Sequence, residues 1–492
     1  MLFTSAAFAF LFLPITVAGF FLLPQKWRPW GASWLFVASL FFYGYWMPSY
    51  VVLLLVSIVW NYLAGMRIAA AGGRTPGGRF WLILGVTVDL LLLAYFKYAA
   101  FLVNSVAAVS GLDLGPVQIT LPIGISFFTF TQIAFLADAY QKGTREYAFS
   151  HYGLFVTYFP HLIAGPVLHH AQMMPQFRDA STYRLNTGNL VGGLAIFALG
   201  LFKKVVLADG VAPYADGVFN AVHHGATPDL VEAWMGALAY TFQLYFDFSG
   251  YSDMAIGLSW MLNIRLPYNF DSPYKALSIS DFWRRWHMSL SNFLRDYLYI
   301  PLGGNRKGPT RRYVNLFITM LLGGLWHGAA WTFVVWGGLH GLYLAIDHAF
   351  SALMARIAPR WTRHVIYRLA AWALTFLSVV VAWVFFRAES FTSAFRILHA
   401  MTGHLPAADQ PHTILWNDGL AVATGVLWCA VLGALAFLGP NSNRIGERTL
   451  ALVRERAGLR ALLAGAVTTA AILLVLINET RDSLSAFIYF NF

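Results

Sequence analysis

Two histidines stand directly after tryptophans inside aromatic stretches: His287 in DFWRRWHMSLSNFLRDYLYIPLGG and His327 in LLGGLWHGAAWTFVVWGGLHG. Imidazole exchanges a proton near neutral pH, and an ionisable group is costly to place among lipid-compatible residues, so both are candidates for chemistry. Around His327 lie Gly323, Gly324, Gly328, Ala329 and Ala330, small residues that let a neighbouring helix or a substrate chain approach the backbone. Such a histidine suits general-base catalysis, which needs a lone pair near a substrate hydroxyl and a pKa near the working pH. The other reading is a core histidine hydrogen-bonded to a carbonyl. On position and composition alone the two readings stand level.

Other titratable residues are less pointed. His340 shares the apolar, glycine-containing setting, but on one straight helix its offset from His327 corresponds to about 220° of rotation and roughly 20 Å of rise. The pair would then share a small pocket only if the helix broke between them. His224 with Asp229, and His404 with Asp409, repeat a short His-x4-Asp pattern in polar loops, and neither pair is assigned a role. His169 and His170 are adjacent, so their side chains diverge on regular structure, which suggests a loop surface rather than a metal site. The lone Cys429 excludes an internal disulfide and a cysteine-based zinc cage. Motifs of zinc proteases, serine hydrolases and P-loop proteins are absent, and neither a metal nor a resident cofactor is expected.

The elements that must position these residues are membrane helices. Of 492 residues, 58% are hydrophobic and only 11% charged, and the mean hydropathy is +0.60; soluble domains are roughly 45–50% apolar. Apolar runs long enough to span a bilayer recur at approximately 2–23, 32–47, 50–66, 80–103, 119–138, 150–168, 188–207, 232–262, 313–333, 334–350, 366–386, 418–438 and 460–478. The composition therefore predicts an all-α, polytopic integral membrane protein. The run at 2–23 lacks a basic start and a clear cleavage site, and reads as a retained span. No repeat of fixed period divides the chain, so one membrane domain over 1–492 is expected, with less diagnostic spans in 1–120, a core in 121–350 and further spans in 351–492.

The net charge of +11 sits in short loops between spans rather than in a patch that would read nucleic acid. Lys26 and Arg28 follow the first run, and Arg67, Arg74 and Arg79 follow the third, so both clusters fall on one side. The positive-inside rule makes that side cytoplasmic and puts the N-terminus outside.

Two runs are not simple spans. LPIGISFFTFTQIAFLADAY opens with Pro122 and Gly124, and YFPHLIAGPVLHH carries Pro160, His161, Gly165 and Pro166. Backbone groups there need partners other than helical ones. The polar region 263–312 also departs from a loop: wound as a helix, Phe282, Trp286, Leu290, Phe293, Leu294 and Tyr297 share a face, with His287 at its edge. An interfacial or shallowly inserted amphipathic helix is expected. Arg284, Arg285, Arg306, Lys307, Arg311 and Arg312 surround it and could hold donor phosphates or serve as topology determinants. Asp247 and Asp253, in TFQLYFDFSGYSDMAIG, should be paired or solvated.

Taken together, PIGISFFTFTQIAFLADAY, YFPHLIAGPVLHH, YFDFSGYSDMAIGL, LPYNFDSPY, the two Trp-His segments and the terminal FIYFNF resemble the membrane-bound O-acyltransferase family, and most closely its bacterial alginate O-acetyltransferase branch. The branch's terminal motif carries glutamine where this chain has Asn491. The resemblance implies a fold built round a transmembrane tunnel, with His327 as the catalytic residue and His287 as its partner. Candidate donor-binding residues are Trp286, Trp326, Arg284, Arg285, Asn269 and Asp247. It also implies acetyl-CoA as a substrate, periplasmic acetyltransferase or accessory partners, and a multi-pass place in the bacterial inner membrane. Modification of an exported polysaccharide, alginate, is the main expectation. O-acylation of cellulose, peptidoglycan or teichoic acid, or a non-catalytic transporter of acyl carriers or polysaccharide, is the alternative.

Overall fold

Helix is the regular structure throughout the described residues, as required where no water can pair a free N–H or C=O. The structure, a computed structural model, describes residues 1–23, 30–115, 117–146, 148–403, 412–480 and 487–488. Lys26, Arg28, His404, Asp409 and Asn491 lie outside the described residues. Among the described residues, five helices are long and apolar enough to cross a membrane: Pro48–Ala70, Pro76–Ser110, Thr187–His223, Val365–Arg387 and Gly458–Glu479. A bent pair, Val422–Leu438 and Ser442–Glu455, meets the same test jointly with a 62° turn between its halves. Leu91, Leu102, Leu462 and Leu473 lie exposed on these helices, the outward-apolar pattern of a multi-pass membrane protein. The expected spans at 232–262, 313–333 and 334–350 fall on the continuous helices Leu230–Met261, Gly308–His327 and Trp331–Ile357, and the others on shorter or interrupted elements.

The chain forms two compact units. The first comprises the described residues of Met1–Leu201, Tyr251–Pro267 and Gly446–Asn491. Here the expected span at 150–168 divides: helix Phe149–Thr157 stops, and an irregular, buried stretch leads to helix His170–Arg178. Non-helical partners satisfy the freed backbone. Phe159 N–H donates to Ser39 Oγ at 3.1 Å, and Leu162 and Gly165 N–H close turns onto Tyr158 and His161. Gly124 caps Ile125–Lys142 in the left-handed region with φ 76°, and a Cβ there would sit 2.9 Å from the Leu162 carbonyl oxygen.

Where the sequence suggested a loop surface at His169 and His170, the structure buries His170 at the start of its helix, between the Phe135 and Phe155 rings. Its Nε2 lies 3.8 Å from Glu146, which Arg178 holds at 2.5 Å. Burial pushes the His170 pKa down to about 4, opposed by Glu146 and reinforced by Arg178.

The second unit, Phe202–Gly250 and Tyr268–Ile445, carries both Trp-His segments. Its helices relevant below are α1 (Leu230–Met261, of which the part up to Gly250 belongs to this unit), α2 (Ile279–Trp283), α3 (Met288–Leu294), α4 (Gly308–His327), α5 (Trp331–Ile357), α6 (Val365–Arg387) and α7 (Val422–Leu438). α4 and α5 form an antiparallel hairpin packed at backbone distance. A Cβ on Gly324 would lie 2.3 Å from the Phe333 carbonyl oxygen, and one on Gly337 would lie 2.4 Å from that of Met320. Only hydrogen fits at either position, and this close approach brings the end of α4 against the first turns of α5.

Candidate active site

His327 is the last residue of α4. Gly328 leaves the helix in an extended conformation, and the Phe333 ring comes so near its backbone that a Cβ would sit 2.1 Å away. The small residues beside His327 thus let the chain turn tightly back into α5 and leave the imidazole at a helix end. Its ring meets Trp326 at 5.0 Å, Trp336 at 5.1 Å and Phe386 at 5.3 Å between centroids. Sequence inspection singled out neither Trp383 nor Phe386, both on α6, yet Trp383 stacks on Trp336 at 5.6 Å and completes this wall. No local signal links α6 to a motif so far upstream.

His287 is delivered by a different device. The amphipathic stretch is not one helix: α2 ends at Trp283, and α3 begins after His287, whose φ of 44° and ψ of 51° lie in the left-handed region. For an L-residue other than glycine this costs on the order of 1–2 kcal/mol, so the surroundings must impose it. They do so with hydrogen bonds. Met288 N–H donates to the Asn269 carbonyl at 3.0 Å, and Asp271 N–H donates to the Arg285 carbonyl at 2.9 Å. Ser289 Oγ–H donates to Asn269 Oδ1 at 2.5 Å. The extended Asn269–Asp271 strand of chain is laced along the corner, with Trp286 and His287 turned inward. Phe282, Trp286, Leu290, Phe293 and Leu294 are buried as the helical wheel suggested, while Tyr297 is half-buried. Breaking the helix keeps that apolar face and changes where His287 points.

The corner and the hairpin bring the two histidines together. Their ring centroids lie 6.4 Å apart, and Trp326 is also 6.4 Å from His287. The edge of Phe248, from α1, meets the His287 ring at 4.8 Å. Both imidazoles are buried in a wall of aromatic rings, a setting of low dielectric in which a proton shared with a substrate is worth more than in water.

The other candidates take varied places. Trp286 packs against Phe270 at 5.1 Å and Trp383 at 5.0 Å, one layer behind His287. Asn269 holds the corner, as described. Asp247 is ion-paired with Lys204 at 2.7 Å, and Lys204 also holds Asp209 at 2.8 Å; Lys204 and Asp247 are buried and Asp209 is half-buried. Lys204 lies in a π-helical turn, Lys203–Ala208, which directs this lysine inward and gives Asp247 the partner a buried acid needs. Arg285 pairs with Asp281 at 2.8 Å and reaches the Asp271 carbonyl at 3.3 Å. Arg284 is exposed, as are Arg306, Lys307 and Arg311. Asp253 belongs to the first unit, where it is buried.

His340 does share a neighbour with His327 after all, because the chain breaks at 328–330. Its ring meets Trp336 at 4.9 Å, the same indole that touches His327. Trp283 Nε1–H donates to His340 Nδ1 at 3.3 Å, which places the neutral ring's proton on Nε2.

Comparison with known proteins agrees with this architecture. The model of the membrane-bound O-acyltransferase family matches residues 92–388. The chain is 43% identical over 510 residues to the probable alginate O-acetylase of Pseudomonas putida, with 100% of both chains covered. It is 47% identical over 449 residues to the probable alginate O-acetylase of Pseudomonas aeruginosa, covering 89% of this chain and 81% of that one. The peptidoglycan O-acetyltransferase of Helicobacter pylori is 39% identical over 535 residues, covering 100% of this chain and 98% of the relative.

Proposed function

This chain belongs to the membrane-bound O-acyltransferase family, and from that premise we propose that it moves acetyl from cytoplasmic acetyl-CoA across the bacterial inner membrane for O-acetylation of an exported polysaccharide, alginate, through periplasmic partner proteins. Transfer of an acyl group to oxygen within a membrane comes with the family; the donor, the polymer, the partners and the residue roles are what we propose. The observation that carries the roles is the buried His287–His327 pair at 6.4 Å.

In this reading His327 accepts the proton of the attacking hydroxyl as its oxygen bonds to the thioester carbonyl carbon. The tetrahedral intermediate collapses by breaking the carbon–sulfur bond, and the thiolate takes the proton back from the imidazolium. Ester and free thiol are the products, and the histidine returns to its starting state. His287 orients the donor or assists the proton transfer from across the ring-lined space. The exposed Arg284, Arg306, Lys307 and Arg311 supply positive charge suited to the donor's phosphates. Trp286 and Asn269 support His287 from behind.

A second acceptor is favoured by one observation: the Helicobacter pylori relative, named for peptidoglycan, matches the chain along its full length. The test is reconstitution of the chain in proteoliposomes with acetyl-labelled acetyl-CoA, together with periplasmic extract and either alginate oligomers or peptidoglycan glycan strands. Label on alginate supports the proposal. Label on the glycan strands alone replaces alginate by the second acceptor, and an intact thioester in both arms contradicts acetyl-CoA as donor.

A further inference from the structure

A groove of about 670 Å³ runs along the second unit between α1, α6 and α7, away from the residues given roles above. On α1 its wall is a stripe at helical spacing, Leu230, Trp234, Leu238 and Phe242, and on α7 it is faced by Ala430 and Ala434. No lining residue carries a charge. Trp234 has already given its indole N–H to the Met401 carbonyl at 3.0 Å. At one end three rings converge: Phe242 and Phe437 at 6.0 Å, Phe242 and Phe376 at 6.2 Å, and Phe376 and Phe437 at 5.0 Å. A surface of this kind offers nothing to water and requires an apolar occupant.

We propose that this groove is a binding site for one acyl chain of a membrane phospholipid, with the chain's methyl end against the Phe242–Phe376–Phe437 cluster. Three physical facts select that occupant. α6 is a candidate membrane span and α7 is half of the bent spanning pair, so the groove opens where lipid is the solvent. From Leu230 to Phe242 the α1 wall rises about 18 Å, close to the depth of one leaflet in a hydrocarbon core of about 30 Å. The volume lies within the roughly 300–1,000 Å³ of small-molecule sites and is lined almost wholly by carbon. Small residues on α7 leave room for the chain, and the sulfur atoms of Cys429 and Met235, 3.9 Å apart, give a polarizable side wall. The site is independent of the acyl-transfer assignment and would retain a lipid in an inactive enzyme.

The experiment uses the full chain in nanodiscs of phospholipid bearing a diazirine near the acyl terminus, with irradiation and peptide mass spectrometry. Adducts should concentrate on Phe242, Phe376 and Phe437 over the exposed Leu462 and Leu473 elsewhere on the protein. Ala434→Trp, which places an indole in the groove, should reduce the groove adducts several-fold and leave those on Leu462 and Leu473 unchanged. If that variant fails to fold, Ala430→Trp, or alkylation of Cys429, the sole cysteine, with a bulky maleimide, provides the same block. Adducts no denser in the groove than on Leu462 and Leu473, or adducts insensitive to a folded blocked form, would overturn the site.

Discussion

His161 and His170 in the first unit are 2% and 5% exposed, as buried as His287 at 0% and His327 at 3% in the second, yet their surroundings differ. A His161 ring nitrogen lies 2.9 Å from the Phe155 carbonyl, and His170 lies beside Glu146 and Arg178. Each belongs to a stretch where the helix has broken and a side chain helps hold the break. His287 and His327 instead lie with ring centroids 6.4 Å apart among aromatic rings, each held by its backbone: one by a left-handed corner, the other by a helix end packed through glycine. Burial of a histidine in a membrane protein is therefore no sign of chemistry by itself. What distinguishes the second pair is the approach of two imidazoles from separate elements to within 6.4 Å.

This contrast can be broken by substitution. After His327 itself, the largest effect is expected at His287: replacement by alanine should lower acetyl transfer per folded molecule by about 10²-fold or more, in the range of lost acid–base assistance, beyond the stability that removing a buried ring costs. A matching loss of folded protein would return His287 to the structural class. Lys204→Met should remove about 3–5 kcal/mol of stability, because it strands the buried Asp247 without its cation; its readout is the thermal transition, and an unshifted transition would show the cluster to be dispensable.

His161→Ala should cost about 1–3 kcal/mol by leaving the Phe155 carbonyl unpaired, while transfer per folded molecule stays at the parent level. Lost transfer in fully folded protein would erase the distinction between the two histidine pairs. The smallest effect is at His170. Its pKa is held near 4, below the ordinary 6.5, so its contribution is intact above pH 6.5 and lost as pH falls through the folded value. The transition should fall across that window, and His170→Phe should flatten the slope; an equal slope in both proteins would assign the acid sensitivity to another group.

Much of this arrangement was legible in the chain. The apolar spans, the breaks at Gly124 and at 158–169, and both Trp-His segments stand out because each rests on local composition or on a proline or glycine. Long-range partners were not legible. Nothing near Asp247 announces that a π-turn will bring Lys204 to it, and nothing in WVFF on α6 shows that Phe386 will reach His327. The helical wheel gave the buried face of 282–294 but not its break, since the left-handed turn at His287 is imposed by Asn269 and Asp271, which lie outside that helical pattern. His340 was set apart by assuming a straight helix, and the turn at 328–330 removed that assumption.

The central claim is that His327 acts on the substrate while the surrounding rings and glycines hold it in place. Its most direct test is single-turnover acetyl transfer from labelled acetyl-CoA in proteoliposomes, comparing the parent chain with His327→Ala at equal folded protein. Donor binding is expected to persist in the variant and transfer to be lost. Transfer by the variant at the parent rate would contradict the claim.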